Sequence, residues 1–152
     1  MMNAIKGGTL VLVDVENLLG GSDFTAEQVH ALRTVVAAAV SIPTDAHVTV
    51  ATSAGAPLVE AGLGWPGARR VWRRGQDGAD LALADVALNE DTAARYQRVV
   101  SCSGDGLFAV VARYLRAAGV QVTVLARPDA LSRALASAAG DIAVLPAPGR
   151  AA

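Results

Sequence analysis

The chain has 152 residues, 53% of them hydrophobic and 18% charged, which suits one domain with a full core and argues against disorder. Thirteen Lys+Arg against fourteen Asp+Glu leave a formal charge of -1, so bulk charge draws the chain neither to nucleic acid nor to a membrane surface. The lone cysteine, Cys102, excludes an internal disulfide and an all-cysteine zinc site, and no apolar run approaches the ~20 residues that span a bilayer. In chain order, hydropathy and turn signals predict strands over residues 9–13, 47–52, 70–73, 98–102, 120–125 and 142–145. Between them fall helices over residues 26–40, 57–62, 79–89, 107–118 and 130–139. Thr25 followed by Gln28 is a capping-box pattern, and Gly119 stands where a helix C-cap glycine belongs.

Strand–helix alternation with continuous apolar strands implies a central, mainly parallel sheet flanked by helices, a three-layer α/β sandwich. No repeat or linker interrupts it. One domain is expected over residues 1–145, with residues 146–152 a frayed tail. The N-terminus lacks a basic region followed by an apolar stretch, so no secretory signal is expected and the chain reads as cytoplasmic.

Right-handed crossovers bring the C-terminal ends of parallel strands to one edge, where ligands of such sheets bind. The residues just past each strand are therefore the ones to inspect. The first strand ends in Asp14, Val15, Glu16 and Asn17; the third leads through Arg73 and Arg74 to Asp80; the fourth opens onto Ser103, Gly104 and Asp105. Three carboxylates, Asp14, Asp80 and Asp105, are thus expected to converge. Clustered carboxylates repel unless protons or cations neutralise them. An all-oxygen ligand set favours a hard cation such as Mg²⁺ or Mn²⁺, which can activate water and stabilise charge on a phosphate. Asn17 could hold a ligand or a water by hydrogen bonding. The plain alternative is that Asp80 and Asp105 are ordinary first-turn acids at helix starts.

Arg69, Arg70, Arg73 and Arg74, with Trp65 and Trp72 interleaved, form the one basic–aromatic stretch. Arginine pairs with phosphate and an aromatic face stacks on an unpaired base, which suits single-stranded RNA. Strand alternation sends Arg70 and Trp72 to one face and Val71 and Arg73 to the other, so one face does not present all four arginines, and a core role stays open for Trp72. His30 and His47 have no metal-ligand partner at useful spacing, and Cys102 reads as inert packing.

Several segments together resemble a family. Residues 11–18 (Val-Leu-Val-Asp-Val-Glu-Asn-Leu) are similar to the opening strand of NYN domains, in the LabA-like branch of the PIN-like nucleases. Residues 78–85 resemble that family's glycine-x-Asp helix start, with a second Asp, Asp85, five residues on; residues 99–108 resemble its Ser-Gly-Asp-Gly-Asp-Phe turn; residues 119–122 and 131–142 resemble its closing strand–helix–strand. The resemblance implies a PIN-like fold and a Mg²⁺- or Mn²⁺-dependent endoribonuclease, with Asp14, Asp80 and Asp105 as the acidic site and Asn17, Ser103 and Asp85 as accessory residues. Its implied partner is RNA, with a homodimer among the assemblies it allows. Two positions depart from the pattern: Leu107 stands where the family usually has its second Asp of the turn, and Asp77 where it often has Lys. The first departure implies a weakened site. The second functional reading is therefore an NYN module that binds RNA or a protein partner without cutting. A phosphatase would need an acid pattern that Glu16 breaks into, a receiver would need a late lysine whereas Lys6 is the one lysine present, and no Gly-x-Gly-x-x-Gly signals a dinucleotide.

Overall fold

The computed structural model describes residues 7–75 and 77–146. The expected tail, residues 146–152, lies outside them apart from Pro146, as does the start of the expected domain. In chain order the elements are β1 (Thr9–Asp14), α1 (Val15–Leu19), α2 (Ala26–Ala39), β2 (His47–Thr52), α3 (Ala56–Gly64), β3 (Arg69–Trp72) and α4 (Gly78–Asn89). There follow α5 (Thr92–Arg95), β4 (Arg98–Cys102), α6 (Phe108–Ala117), β5 (Gln121–Ala126), α7 (Arg133–Ala138) and β6 (Asp141–Val144). The six strands form one sheet in the order β3-β2-β1-β4-β5-β6. Every pairing is parallel, so the sheet is wholly rather than mainly parallel.

Burial explains the strand sequences. β1 lies at the centre and is buried at all six positions, which is why it reads as an unbroken apolar run ending in one acid. Its alternate residues feed two cores. Leu10 and Leu12 pack with Leu83 of α4 and Phe108 and Leu115 of α6, whereas Val11 and Val13 pack with Val29, Leu32 and Val36 of α2 and with Trp65. Helices on both faces make the three layers. Among the described residues no helix is long and apolar enough to cross a membrane.

Most expected elements form within a residue or two of their expected bounds, and the exceptions have local causes. The capping box at Thr25 and Gln28 is present in both directions. α7 starts at Arg133 rather than at residue 130, because Ser132 caps it by accepting the Leu135 N–H at 3.0 Å, while the Ser132 N–H donates to the Gly104 carbonyl at 3.0 Å. α1 and α5 were not expected, being too short to show a helical period.

The strand order turns back between β1 and β4: from β1 the chain first extends the sheet to one side through β2 and β3, then returns to add β4 on the other. The C-terminal ends of these two central strands therefore bound a crevice. Asp14 and residues 103–105 meet there. α4 can reach the same edge because Gly78, its first residue, packs directly on the strand-end backbone: a Cβ added there would lie 2.0 Å from the Arg73 carbonyl oxygen. Gly78→Ala should therefore destabilise the fold by about 2–3 kcal/mol, the upper part of the overpacking range. Gly21→Ala, with nothing within 4 Å of the added carbon, should change it by no more than about 0.5 kcal/mol. Urea unfolding of both variants checks this, and equal midpoints would contradict it.

Candidate functional site

Asp14 ends β1 with 1% of its surface exposed. It also caps α1: its Oδ1 accepts the Asn17 N–H at 3.2 Å. Its Oδ2 accepts the Ser103 hydroxyl from the end of β4 at 3.2 Å. The Ser103 oxygen in turn accepts the Asp105 N–H at 3.2 Å, and Asn17 Oδ1 accepts the Gly104 N–H at 3.0 Å. Asn17 therefore clamps the β4–α6 turn with its side-chain oxygen. Gly104 is held against the next loop, where a Cβ would stand 2.3 Å from the Ala130 carbonyl oxygen. Asp105 accepts the Leu107 N–H through Oδ1 at 2.8 Å and so tightens the turn that starts α6.

Asp80 comes from the first turn of α4 with 8% exposure. It approaches both Asp14 and Asp105 closely enough for carboxyl–carboxyl hydrogen bonds. Burial, then the hydrogen bond and charge of Asp14, then those of Asp105, push its pKa from 3.8 up to about 9. Burial raises Asp14 as well, but hydrogen bonds from Asp80, Asn17 and Ser103 oppose this. The proton is thus favoured on Asp80, whose single O–H can donate to one of its two neighbours at a time. The three expected carboxylates do meet at the C-terminal edge, with Asp80 in the middle.

A profile of the NYN domain matches residues 8–145. The chain belongs to the NYN domain family. Comparison with curated proteins returns no match. Among solved structures the chain is similar to a protein of unknown function from Vibrio parahaemolyticus, with a TM-score of 0.59 and 20% identity, over 95% of this chain and 96% of that one. At that identity the likeness establishes the shared three-layer α/β fold.

Other expected site residues of this NYN domain lie elsewhere. Asp85 is five residues along α4 from Asp80 and therefore points about 140° away. It accepts from Asn89 at 2.6 Å and faces Arg73 at 3.7 Å, so it stands apart from the carboxylate cluster. The arginine stretch is divided as alternation requires. Arg69 makes a two-pronged ion pair with Glu90 of α4, while Arg70 turns to α3, its Nη1 3.5 Å from the Leu58 carbonyl. Trp72 is 53% exposed and is not a core residue. Leu107 is 36% exposed, at the start of α6. Burial pushes the Cys102 thiol up to about 12, in keeping with inert packing.

Two residues at this edge were not assigned a role there from the sequence. Glu16 accepts both the Ser53 N–H, at 2.6 Å, and the Ser53 hydroxyl, which fastens α1 to the end of β2 and adds negative charge beside Asp14. Arg127 follows β5 and lies over Gly20 at the end of α1, paired with Asp129 at 2.6 Å. A Glu one turn past a strand and an Arg–Pro–Asp loop are common surface patterns, so only long-range contact distinguishes them.

The cluster suits a hard divalent cation. Its donors are all oxygen, two of its carboxylates are buried, and no ion pair among the described residues reaches it. Among those residues no three Asp, Glu, His or Cys side chains stand ready-made around a cation position. A cation would take the place of the proton on Asp80.

The sign of the pH effect follows. Between about pH 4 and 9 the folded, metal-free chain keeps a proton on Asp80 that the unfolded chain has released. The Asp80 contribution to stability is therefore full at the acid end and is lost as pH rises towards 9. In EDTA the Tm of Asp80→Asn should gain on that of the parent steadily from pH 5 to pH 9, since the amide donates without ionising. Parallel Tm curves would show that Asp80 titrates normally.

Proposed function

We propose that this NYN domain is a divalent-metal-dependent endoribonuclease acting on single-stranded RNA, with Asp14, Asp80 and Asp105 as the acidic site. One observation carries the reading: a buried carboxyl is lodged between two others with no cationic side chain to balance them. A fold has little reason to retain such repulsion unless a cation or a reacting group relieves it. Family membership supports a nuclease-like activity, since NYN and PIN-like nucleases generally use divalent metals. The motif order from Asp14 to residue 142 favours the LabA-like branch, and an RNA substrate suits a cytoplasmic protein.

Asp14 and Asp80 would hold Mg²⁺ or Mn²⁺, with Asp105 contributing through the carboxylate oxygen not committed to Leu107. When bound, the ion supplies positive charge that offsets the carboxylates, favours ionisation of water and stabilises charge on the phosphate. The chain's own residues position these groups. Ser103 and the Asn17 backbone fix the two oxygens of Asp14, and Asn17 Oδ1 fixes the turn that presents Asp105. Arginines at the ends of neighbouring strands would help to bring phosphate to this acidic edge once the cation offset its charge.

The binding-module reading draws on Leu107, which leaves three carboxylates where the family pattern has four. Three are enough for one ion, because Mg²⁺ is often bound through one or two carboxylates with several waters. Leu107 is exposed, so Leu107→Asp can be made without opening the core.

The test is cleavage of labelled single-stranded RNA in Mn²⁺, Mg²⁺ or EDTA. The parent should cut weakly in Mn²⁺ and not in EDTA. Ser103→Ala should lower the rate by about 10-fold, as loss of an outer partner of a metal ligand does, and Asp14→Asn by more than about 100-fold. Leu107→Asp should raise it. If none of these proteins cuts while all bind RNA, the binding-module reading replaces this one.

A further inference from the structure

Trp72 is the feature that neither the fold nor the acidic site uses. It is the last residue of β3, an edge strand, and is 53% exposed, whereas Trp65 is 5% exposed and belongs to the core. The charges around it are sorted by face. Arg69 and Arg73 are turned to α4 and held by Glu90 and Asp85. Arg70 lies on the opposite face, over Gly62 of α3, and strand alternation puts Trp72 on that face too. Arg74, just past the strand, is exposed and has no hydrogen-bond or ion-pair partner among the described residues. Val59 and Leu63 on α3 are exposed as well and, with Gly62 and Arg70, line an open cavity of about 340 Å³. Trp72 and Arg70 therefore share the face away from the two arginines that pair with Glu90 and Asp85, and Arg74 follows just past the strand.

We propose that Trp72 is a base-stacking platform for single-stranded RNA, with Arg70 and Arg74 contacting the phosphates on either side of the stacked nucleotide. The proposal rests on the nuclease reading and adds a substrate subsite to it. A large aromatic left in water forgoes the free energy of burial, and an indole face stacks on any unpaired base without needing sequence-specific hydrogen bonds. Bases inside a duplex are not available to it. The subsite also has a fixed place relative to the chemistry. β3, β2 and β1 are neighbours, and Trp72 is in register with Thr52, one residue beyond the Ala51 that pairs with Asp14. Two strand spacings separate the Trp72 and Asp14 backbones by about 10 Å, and alternation turns the Trp72 side chain to the α3 face and Asp14, in step with Leu10 and Leu12, to the α4 face. An RNA strand stacked on Trp72 therefore crosses the C-terminal edge of the sheet to reach the carboxylates, and that path sets the distance from stacked base to cut.

The experiment measures binding and cutting separately. Binding of a short single-stranded RNA is followed by tryptophan fluorescence with Ca²⁺ in place of Mn²⁺, for the parent, Trp72→Phe, Trp72→Ala and Arg74→Ala. The parent should be quenched, because Trp72 is the exposed indole. Trp72→Ala should weaken binding roughly 5- to 100-fold, Trp72→Phe should retain most of it, and Arg74→Ala should reduce the salt slope by about one. In Mn²⁺, RNA carrying a single base within an abasic run should be cut at a constant distance from that base. Undiminished binding in Trp72→Ala and an unchanged salt slope in Arg74→Ala would overturn the subsite while leaving the nuclease reading intact. Quenching by an acidic peptide but not by RNA would overturn it in favour of a protein partner. Cleavage that survives Asp14→Asn would instead remove the nuclease reading on which it rests.

Discussion

Repulsion between buried carboxylates is the constraint around which this molecule is arranged. Asp14 can be buried only because β1 is the central strand, covered on both faces. Asp80 can reach it only because Gly78 lets α4 begin against the Arg73 backbone, and Asp105 is presented by a turn that Gly104 lets close on Ala130. The hydrogen bonds of Asn17 and Ser103 stabilise one ionised carboxylate and leave the next to carry a proton. In this state the fold accepts an unfavourable cluster, a cost set against two continuous cores and one that the proposed cation would relieve.

The strand order is the one used by dinucleotide-binding sheets, with the crevice at the same switch point between the first and fourth strands. What differs is the first turn. A glycine-rich turn at that place offers backbone N–H groups to a pyrophosphate, whereas here Asp14, Glu16 and Asn17 present oxygen atoms. The ligand logic is thereby reversed: on the proposed function, phosphate would approach this edge with a cation as intermediary. Shared topology says where a ligand sits, and the residues at the crevice decide which ligand it is.

Much of this was legible because it depends on position along a strand. Asp14, Asp80 and Asp105 each follow a strand or open the next helix, so parallel alternation was enough to bring them to one edge. Alternation also divided the arginines correctly. It could not show that α4 supplies Glu90 and Asp85 to one set and nothing to the other, because that depends on how the helix is turned over β3. Trp72 was ambiguous for the same reason: an edge strand and a covered strand have the same local sequence. Asn17 was placed at the site, but its hydrogen bond to a turn 87 residues away was not legible, because no local pattern links the two. Glu16 and Ser53, 37 residues apart, went unseen because neither forms a local pattern.

Mn²⁺ introduced into crystals of the parent, located by anomalous scattering, tests the central claim most directly. The account predicts a single strong peak at the C-terminal edge between β1 and β4, in contact with the carboxylates of Asp14 and Asp80 and close to Asp105, and no such peak in Asp14→Asn. A Mn²⁺ ion bound elsewhere while these carboxylates keep their shared proton, or the same peak in Asp14→Asn, would contradict it.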